Sequence, residues 1–416
     1  MADVPVERSY RALLRVPSFG RVLVGMTIAR IAGTMVYIAL VLFAIGRFGP
    51  AVAGVVAFAM MFPGLVASPI AGALLDRFGR VRLIVLDYLV AGSLMALIGV
   101  LAIADALPAW LLVLIVAIAS LTEPLSASGL RSLFPLIVPE PLWERANAAD
   151  SNASVIATLI APPLGAMLVQ VWGGPPALIA ISILNALAAV AMIGVPEPAG
   201  GKATTGRLLA DAHDGVLYVW RNATLRSLAM SISLSNLAFG ALEIAVPVIV
   251  LERFHGTAAM VGAAYATMGA AGLVSASLIG RLDTRGIERT LLVWPLLGTA
   301  AAMAILLADA GIWVVFVAGI VLGLLIGPVD IALMTVRQRC TDPAWMGRAF
   351  AVSMALNGLG SPFGALAGGW LVTRSLDLAI VFCVAVSLLA GLVAAATLAR
   401  RIPAPGSATA AVRERA

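Results

Sequence analysis

Charge is scarce in this chain: Asp, Glu, Lys and Arg make up 12% of 416 residues, against about 25% in soluble domains, whose water-facing surface has to be solvated. With 62% hydrophobic residues and a mean hydropathy of +1.05, too few polar side chains remain to cover a water-soluble globule of this size, and a disordered chain is excluded as well. Two cysteines, Cys340 and Cys383, cannot make a disulfide framework, and two histidines, His213 and His255, cannot make a His-rich metal site. Lysine occurs once, at Lys202, a bias towards arginine that fits a GC-rich bacterial genome. The net charge of +6 would point to nucleic acid in a soluble protein; in a membrane protein the question is where the positive charges sit.

What the chain has is apolar length. A helix crosses about 30 Å of hydrocarbon in ~20 residues at ~1.5 Å per residue. On that scale the sequence predicts twelve spans, at roughly 19–46, 51–75, 83–105, 109–134, 147–171, 176–196, 226–251, 258–280, 290–308, 311–336, 347–373 and 376–399. The stretch after Arg8, Arg11 and Arg15 is too long for a signal-peptide core and has no small-residue cleavage site, so the first span is expected to stay in the protein. Placing the N-terminus inside puts 23 of the 27 Lys and Arg residues on the inner side; Arg47, Arg253 and Arg374 fall outside, and Arg30 lies within span 1. By the positive-inside rule both termini are expected to be cytoplasmic.

The longest polar stretch between spans, 197–225, divides the chain, which predicts a six-helix bundle over 1–196, a cytoplasmic central loop over 197–225, a second six-helix bundle over 226–400 and a cytoplasmic tail over 401–416. Internal repetition supports the division. A shift of 207 carries Gly33 onto Gly240, Asp76 onto Asp283 and Glu123 onto Asp330; a shift of 203 carries Arg145 onto Arg348 and the series Ala157, Ala161, Gly165 onto Gly360, Gly364, Gly368. The expected fold class is an all-α polytopic membrane protein of twelve transmembrane helices in two six-helix halves.

Between spans 2 and 3 runs Gly72-Ala73-Leu74-Leu75-Asp76-Arg77-Phe78-Gly79-Arg80-Val81-Arg82. This is similar to motif A of the major facilitator superfamily, G-x-x-x-D-R-x-G-R-R, departing where Val81 precedes Arg82, and with twelve spans and a polar middle the whole chain resembles that family. In so short a turn Gly79 can take a positive φ, Asp76 can accept from a helix N-terminus, and Arg77 and Arg80 can bridge to acids or lipid phosphates. The resemblance implies that Gly72, Asp76, Arg77, Gly79 and Arg80 form a cytoplasmic gating latch favouring the outward-open state; the plainer reading is a positive-inside loop. Span 5 carries Ala157-Thr158-Leu159-Ile160-Ala161-Pro162-Pro163-Leu164-Gly165-Ala166, which resembles motif C of the family's exporters with alanine at three glycine positions, and span 11 carries Gly360, Gly364 and Gly368 without the proline. Small residues four apart let helix backbones approach in lipid. They are read either as close packing at the interface of the halves or as helices that seal and unseal the outer side during export.

A charge at mid-bilayer costs roughly 2.5–3.5 kcal/mol on insertion scales and is tolerated where it faces a cavity or a partner. Arg30 lies in span 1, Glu123 in span 4, Glu243 in span 7 and Asp330 in span 10, while Asp87 and Asp150 lie near the inner ends of spans 3 and 5. In the resembled family spans 1, 4, 7 and 10 line the central cavity, so these four residues are the expected cavity and proton-coupling groups. Arg30 is expected to pair with Glu123, Asp330 or both. That leaves Glu243 as the less compensated carboxylate and the first choice to exchange a proton; a static buried salt bridge is the plainer alternative. The family's drug/proton antiporters resemble one another in an arginine at mid-span 4, where this chain has Glu123 and Pro124. Thr34, Tyr37, Asn236 and Asn357 are candidate substrate contacts, and Met35, Phe239 and Met334 a candidate apolar path; ordinary helix packing would account for each of them too.

Groups for other chemistry are missing. Gly200-Gly201-Lys202 continues with Ala203 and lacks the upstream glycine of a phosphate-binding loop, and no Gly-x-Ser-x-Gly, His-Glu-x-x-His or Cys-x-x-Cys is present. No enzyme activity, catalytic residue, cofactor or metal is expected. The resemblance implies a secondary active transporter that exports a small amphipathic organic molecule in exchange for protons by alternating access. An importer or symporter of a small metabolite, or a transporter-like sensor, is the alternative. The expected partners are a small-molecule substrate, protons and the lipid bilayer, with no nucleic acid; the expected state is a monomer, multi-pass in a bacterial inner membrane.

Overall fold

The computed structural model describes residues 9–197, 208–342 and 345–398; Lys202 and the expected tail over 401–416 lie outside them. Among the described residues there is no β-strand, and twelve helical segments are long and apolar enough to cross a membrane. Hydrocarbon offers no water to backbone groups, so a spanning segment has to satisfy its own N–H and C=O groups, which a helix does. A short α1 (Tyr10–Leu14) precedes α2 (Phe19–Phe48), α3 (Pro50–Phe78), α4 (Arg80–Ile103), α5 (Ala109–Ile137), α6 (Trp143–Trp172) and α7 (Gly174–Ala191). After α8 (Leu208–Arg221) come α9 (Ala223–Val248), α10 (Ala258–Ile279), α11 (Glu288–Ala304), α12 (Trp313–Cys340), α13 (Met346–Gly358), α14 (Gly360–Val372) and α15 (Leu376–Thr397). Large apolar side chains point outward along the spans, among them Ile70, Leu97, Trp110, Leu278, Trp294 and Leu392, as a lipid-facing surface requires.

Two compact units emerge. One comprises Met1–Gly46 with Ala59–Thr205, the other Arg47–Phe58 with Gly206–Ala416. The first is centred on Phe19, Met26, Ile84, Leu133 and Met192, all buried, with the Phe19 and Phe134 rings 6.0 Å apart. The second is centred on Leu225, Leu292, Val336 and Ala394.

Three local features depart from the expected elements, each for a physical reason. Part of the expected central loop is the helix α8, fastened to the end of α12. Asn222 donates from Nδ2 to the carbonyl of Cys340 (3.0 Å), Tyr218 Oη accepts from the N–H of Asp342 (2.9 Å), and Tyr218 stacks on Trp345. Span 11 is divided at Leu359, because Pro362 brings no N–H to the carbonyl of Gly358. In α9, Pro247 likewise leaves the carbonyl of Glu243 without its helical donor; Tyr265 of α10 supplies one, its hydroxyl donating to that oxygen at 2.9 Å. The chain then widens into a π-helical turn over Ile249–Arg253.

Helix α9 and helix α14 cross with their backbones in contact. A Cβ added at Gly360 would stand 2.0 Å from the Ser233 carbonyl oxygen, one at Gly364 2.1 Å from that of Leu237, and one at Gly368 2.6 Å from Ala241. In the first unit the matching crossing is α2 with α6, where a Cβ at Gly165 would lie 3.0 Å from the Met35 oxygen; Ala157, Ala161 and Pro162 are buried along the same helix. The small-residue series therefore packs within its own unit, span 5 on span 1 and span 11 on span 7, which corrects the expectation that it joins the halves. Gly369 makes a different contact, meeting Gly54 at the N-terminal end of α3, where Phe58 and Phe363 also pack edge to face at 5.4 Å.

Candidate functional site

The turn between α3 and α4 is a single residue, Gly79, at φ +98°. Two side-chain bonds tie it down: Asp76 accepts from the Arg80 guanidinium at 2.5 Å, one helical turn away, and Arg80 Nε donates to Ser132 Oγ of α5 at 3.1 Å. The third tie comes from far along the chain. Glu197 accepts from the backbone N–H of Arg80 (2.5 Å) and of Arg82 (3.2 Å), capping α4, whose free N–H groups and positive dipole end favour a carboxylate. The helix N-terminus expected to bind Asp76 is thus held, for α4, by Glu197. A side chain at position 79 would also collide with Glu197, 2.8 Å from its Cδ. Arg77 is exposed over the Phe78 ring, and Gly72 is exposed with open space around it.

The same device recurs 207 residues on. Gly286 has φ +82°, Asp283 accepts from the N–H of Arg285 (3.1 Å), and Glu288, buried at the start of α11, accepts from the N–H of Gly286 (2.9 Å) and pairs with Arg339. Because a cap of this kind is worth about 1 kcal/mol, Glu197→Gln and Arg80→Ala should leave folded protein in the membrane. As the turn loses its capping charge in the first variant and its bonds to Asp76 and Ser132 in the second, flux in vesicles should fall by about tenfold, the equivalent of ~1.4 kcal/mol. Normal flux in both variants would remove this turn from the transport cycle.

In the first unit the charges gather on α2, α4, α5 and α6. Arg30 donates from Nη1 to the Asp150 carbonyl at 2.8 Å and its Nη2 lies 2.7 Å from the Asp150 carboxylate, so its partner is on α6 and the expected pairing with Glu123 is not the one formed. Beside this pair sits Tyr88, buried, within electrostatic reach of both Arg30 and Asp87. Asp87 is 5% exposed on α4, hydrogen-bonded by the hydroxyls of Thr122 and Ser126, and Glu123 of α5 lies within electrostatic reach of it. Two carboxylates from adjacent helices are therefore within electrostatic reach of one another, Glu123 at the more open edge. Thr34 and Tyr37 are half-buried on α2, and Met35 lies under Gly165.

In the second unit the bridge from the first to the fifth span is repeated in neutral form. Asn236 donates from Nδ2 to the Asn357 carbonyl at 2.8 Å, with Asn357 exactly 207 positions after Asp150 in sequence and each bridge made to a main-chain oxygen. These two residues, expected as substrate contacts, hold each other. The Asn357 amide, oriented to satisfy its neighbours, accepts from Arg337 at 2.7 Å and donates to Ser353. Arg337 is 1% exposed, although its place near the end of span 10 suggested a loop charge. It lies against the Phe350 ring and the sulfurs of Met334 and Met354, and among the described residues no carboxylate pairs with it.

Glu243 is half-buried and has an interaction of its own. It lines a cavity of about 50 Å³ between α9, α10 and α12, with Phe239, Leu242, Val246, Tyr265 and Met268 among the walls. Asp330 is exposed on α12, and among the described residues no ion pair reaches it.

Twelve apolar helices, a repeat of about 207 residues and a few charges held within the spans fit a polytopic membrane transporter. The chain belongs to the Major Facilitator Superfamily, whose model matches residues 22–286 and 228–415. It is 35% identical over 397 residues to an uncharacterized MFS-type transporter, y4rN, of Sinorhizobium fredii, covering 92% of this chain and 96% of that one. It is 21% identical to Macrolide efflux protein A of Streptococcus pyogenes, over 82% of this chain and 86% of the relative. Among solved structures, a bacterial homologue of the iron transporter ferroportin in an inward-facing state superposes with a TM-score of 0.70 at 16% identity, over 92% of this chain and 98% of that one, a likeness of fold. The relatives are bacterial membrane proteins, and twelve apolar helices make this a multi-pass protein of the cell membrane.

Proposed function

We propose that this chain exports a small amphipathic organic molecule by alternating access in exchange for protons, with the acid pair Asp87 and Glu123 as the coupling group. Export is supported by the relative named as an efflux protein and by the exporter-like series in span 5. The pair itself carries the coupling assignment. Two carboxylates within reach of one another repel when both are charged, and more strongly where the dielectric is low; a proton held by the pair removes that repulsion. Thr122 and Ser126 keep Asp87 oriented towards it. In this reading Arg30 and Asp150 fix α2 to α6 beside the pair, the α3–α4 turn is the cytoplasmic latch, and Thr34 and Tyr37 on α2 are groups that meet substrate.

The test uses everted membrane vesicles and a labelled macrolide, the compound class in the relative's name. The label should accumulate when the vesicle interior is made acidic, and a protonophore should abolish the accumulation. Accumulation that ignores the protonophore, or that appears only in right-side-out vesicles, would overturn proton-coupled export.

A further inference from the structure

We propose that the groove between the start of α2 and the end of α7 is a binding site for an anionic phospholipid of the cytoplasmic leaflet, with Arg21 holding the phosphate. The inference is independent of what the chain transports. Its basis is a groove of about 540 Å³ lined by Gly20, Arg21, Val24, Val190, Ala191 and Ile193, all contributed by the first unit of the fold. Here the first span begins and the sixth ends, on the side that the positive-inside count makes cytoplasmic.

The groove is built around its arginine, the one charged residue of the lining. Arg21 Nη1 donates to the Ile193 carbonyl at 2.8 Å, which fixes the guanidinium across the end of α7. Gly194, at φ +80°, leaves room for it: a Cβ there would stand 2.5 Å from that same nitrogen. One turn further along α2 the two helices close up, a Cβ at Gly25 lying 3.1 Å from the Ala188 carbonyl oxygen. Among the described residues no carboxylate pairs with Arg21, so Nε and Nη2 keep protons to give.

The walls exclude other occupants in turn. A metal cation would be repelled by Arg21. A wholly apolar molecule would strip water from the guanidinium and return no hydrogen bond for it. A small free anion would leave Val24, Val190 and Ile193 uncovered, each of them more than half exposed. An anionic phospholipid answers both features, its phosphate taking the remaining guanidinium protons in charge-assisted bonds and its glycerol and first methylenes lying on the three apolar side chains. A choline or ethanolamine head group would offset the phosphate charge that Arg21 attracts. Basic pockets between spanning helices on the cytoplasmic side suit anionic head groups, and the volume falls within the range of small-molecule sites, about 300–1,000 Å³.

Native mass spectrometry of the purified, delipidated full-length protein, titrated with phosphatidylglycerol or with phosphatidylcholine of the same acyl chains, reads the affinity for each lipid. Phosphatidylglycerol should bind saturably and about fivefold more tightly, the worth of one arginine at an anionic membrane surface. Arg21→Gln should remove that preference, whereas Arg131→Gln, at an exposed arginine of α5 outside the groove, should keep it. Val24→Trp, which fills the groove from α2 with the charge intact, should weaken the binding of both lipids; thermal melting of each variant checks that it is folded. Glycerol 3-phosphate, the head group without its chains, should not displace phosphatidylglycerol at equal concentration. Equal binding of the two lipids to the native protein, native phosphatidylglycerol affinity in both Arg21→Gln and Val24→Trp, an equal loss in Arg131→Gln, or displacement by glycerol 3-phosphate overturns the site. With neither substrate nor gradient present, such a result leaves the vesicle test of export untouched, and a failed vesicle test leaves this one standing.

Discussion

Asp87→Asn and Glu123→Gln should each abolish proton-driven accumulation of substrate in everted vesicles, a fall of about 100-fold, the lower range for loss of a positioned proton-transfer group. Each variant fixes one member of the pair in an uncharged form, so the repulsion that makes proton release and uptake a two-state event is gone. Exchange of labelled against unlabelled substrate without a gradient should persist, and its rate should be independent of pH, whereas that of the native protein should vary with pH. The thermal midpoint should hold or rise, because one of two neighbouring like charges, of which Asp87 is buried, has been removed while Thr122 and Ser126 can still donate to the amide oxygen at position 87. A static packing role makes the opposite forecast: both variants would melt earlier and still accumulate substrate uphill. That second result would end the coupling assignment and leave Asp330 as the next carboxylate to test.

Why the sequence pointed to Arg30, Glu123, Glu243 and Asp330 but not to Asp87 is a matter of helix rotation. Hydropathy gives the depth of a residue in the bilayer, and depth brings Arg30 and Glu123 to similar levels. Each residue turns a helix by about 100°, so a partner is chosen by azimuth; α2 points Arg30 towards Asp150 on α6. The same blindness hid Arg337, which charge counting placed in an inner loop and packing places against Phe350, Met334 and Met354. The α3–α4 turn was legible in outline because its pieces are contiguous: a glycine that needs positive φ and an i,i+4 acid–base pair. Its Glu197 anchor was not, since nothing local in the sequence links it to position 80. The repeat carries one further signal: the offset that pairs Asp76 with Asp283 also pairs Gly79 with Gly286, and both glycines have positive φ.

That offset also pairs Gly33 with Gly240, and there the two positions should behave in opposite ways. A Cβ at Gly33 meets nothing within 4 Å. Gly33→Ala should therefore be tolerated in α2 and gain up to about 0.5–1 kcal/mol from helix propensity. A Cβ at Gly240 would stand 2.1 Å from the Ser361 carbonyl oxygen, with the Ser361 Cα and carbonyl carbon at 2.9 Å, so what must move is the backbone of α14 and no flexible side chain can give way instead. Helix α14 cannot slide aside along the crossing, because Gly360 and Gly364, one residue before and three after Ser361, are as tightly seated on α9. Gly240→Ala should cost about 3 kcal/mol, the upper end of overpacking penalties, or more. In size-exclusion profiles of detergent extracts the Gly240→Ala peak should shrink or vanish while that of Gly33→Ala stays native, with thermal midpoints shifting in the same opposed directions. Native elution and melting of Gly240→Ala would mean that α9 and α14 are farther apart than their glycines imply. The two matching crossings share a sequence repeat without sharing the glycines that meet the partner backbone: α9 and α14 meet through Gly240, Gly360 and Gly364, α2 and α6 through Gly165 against Met35.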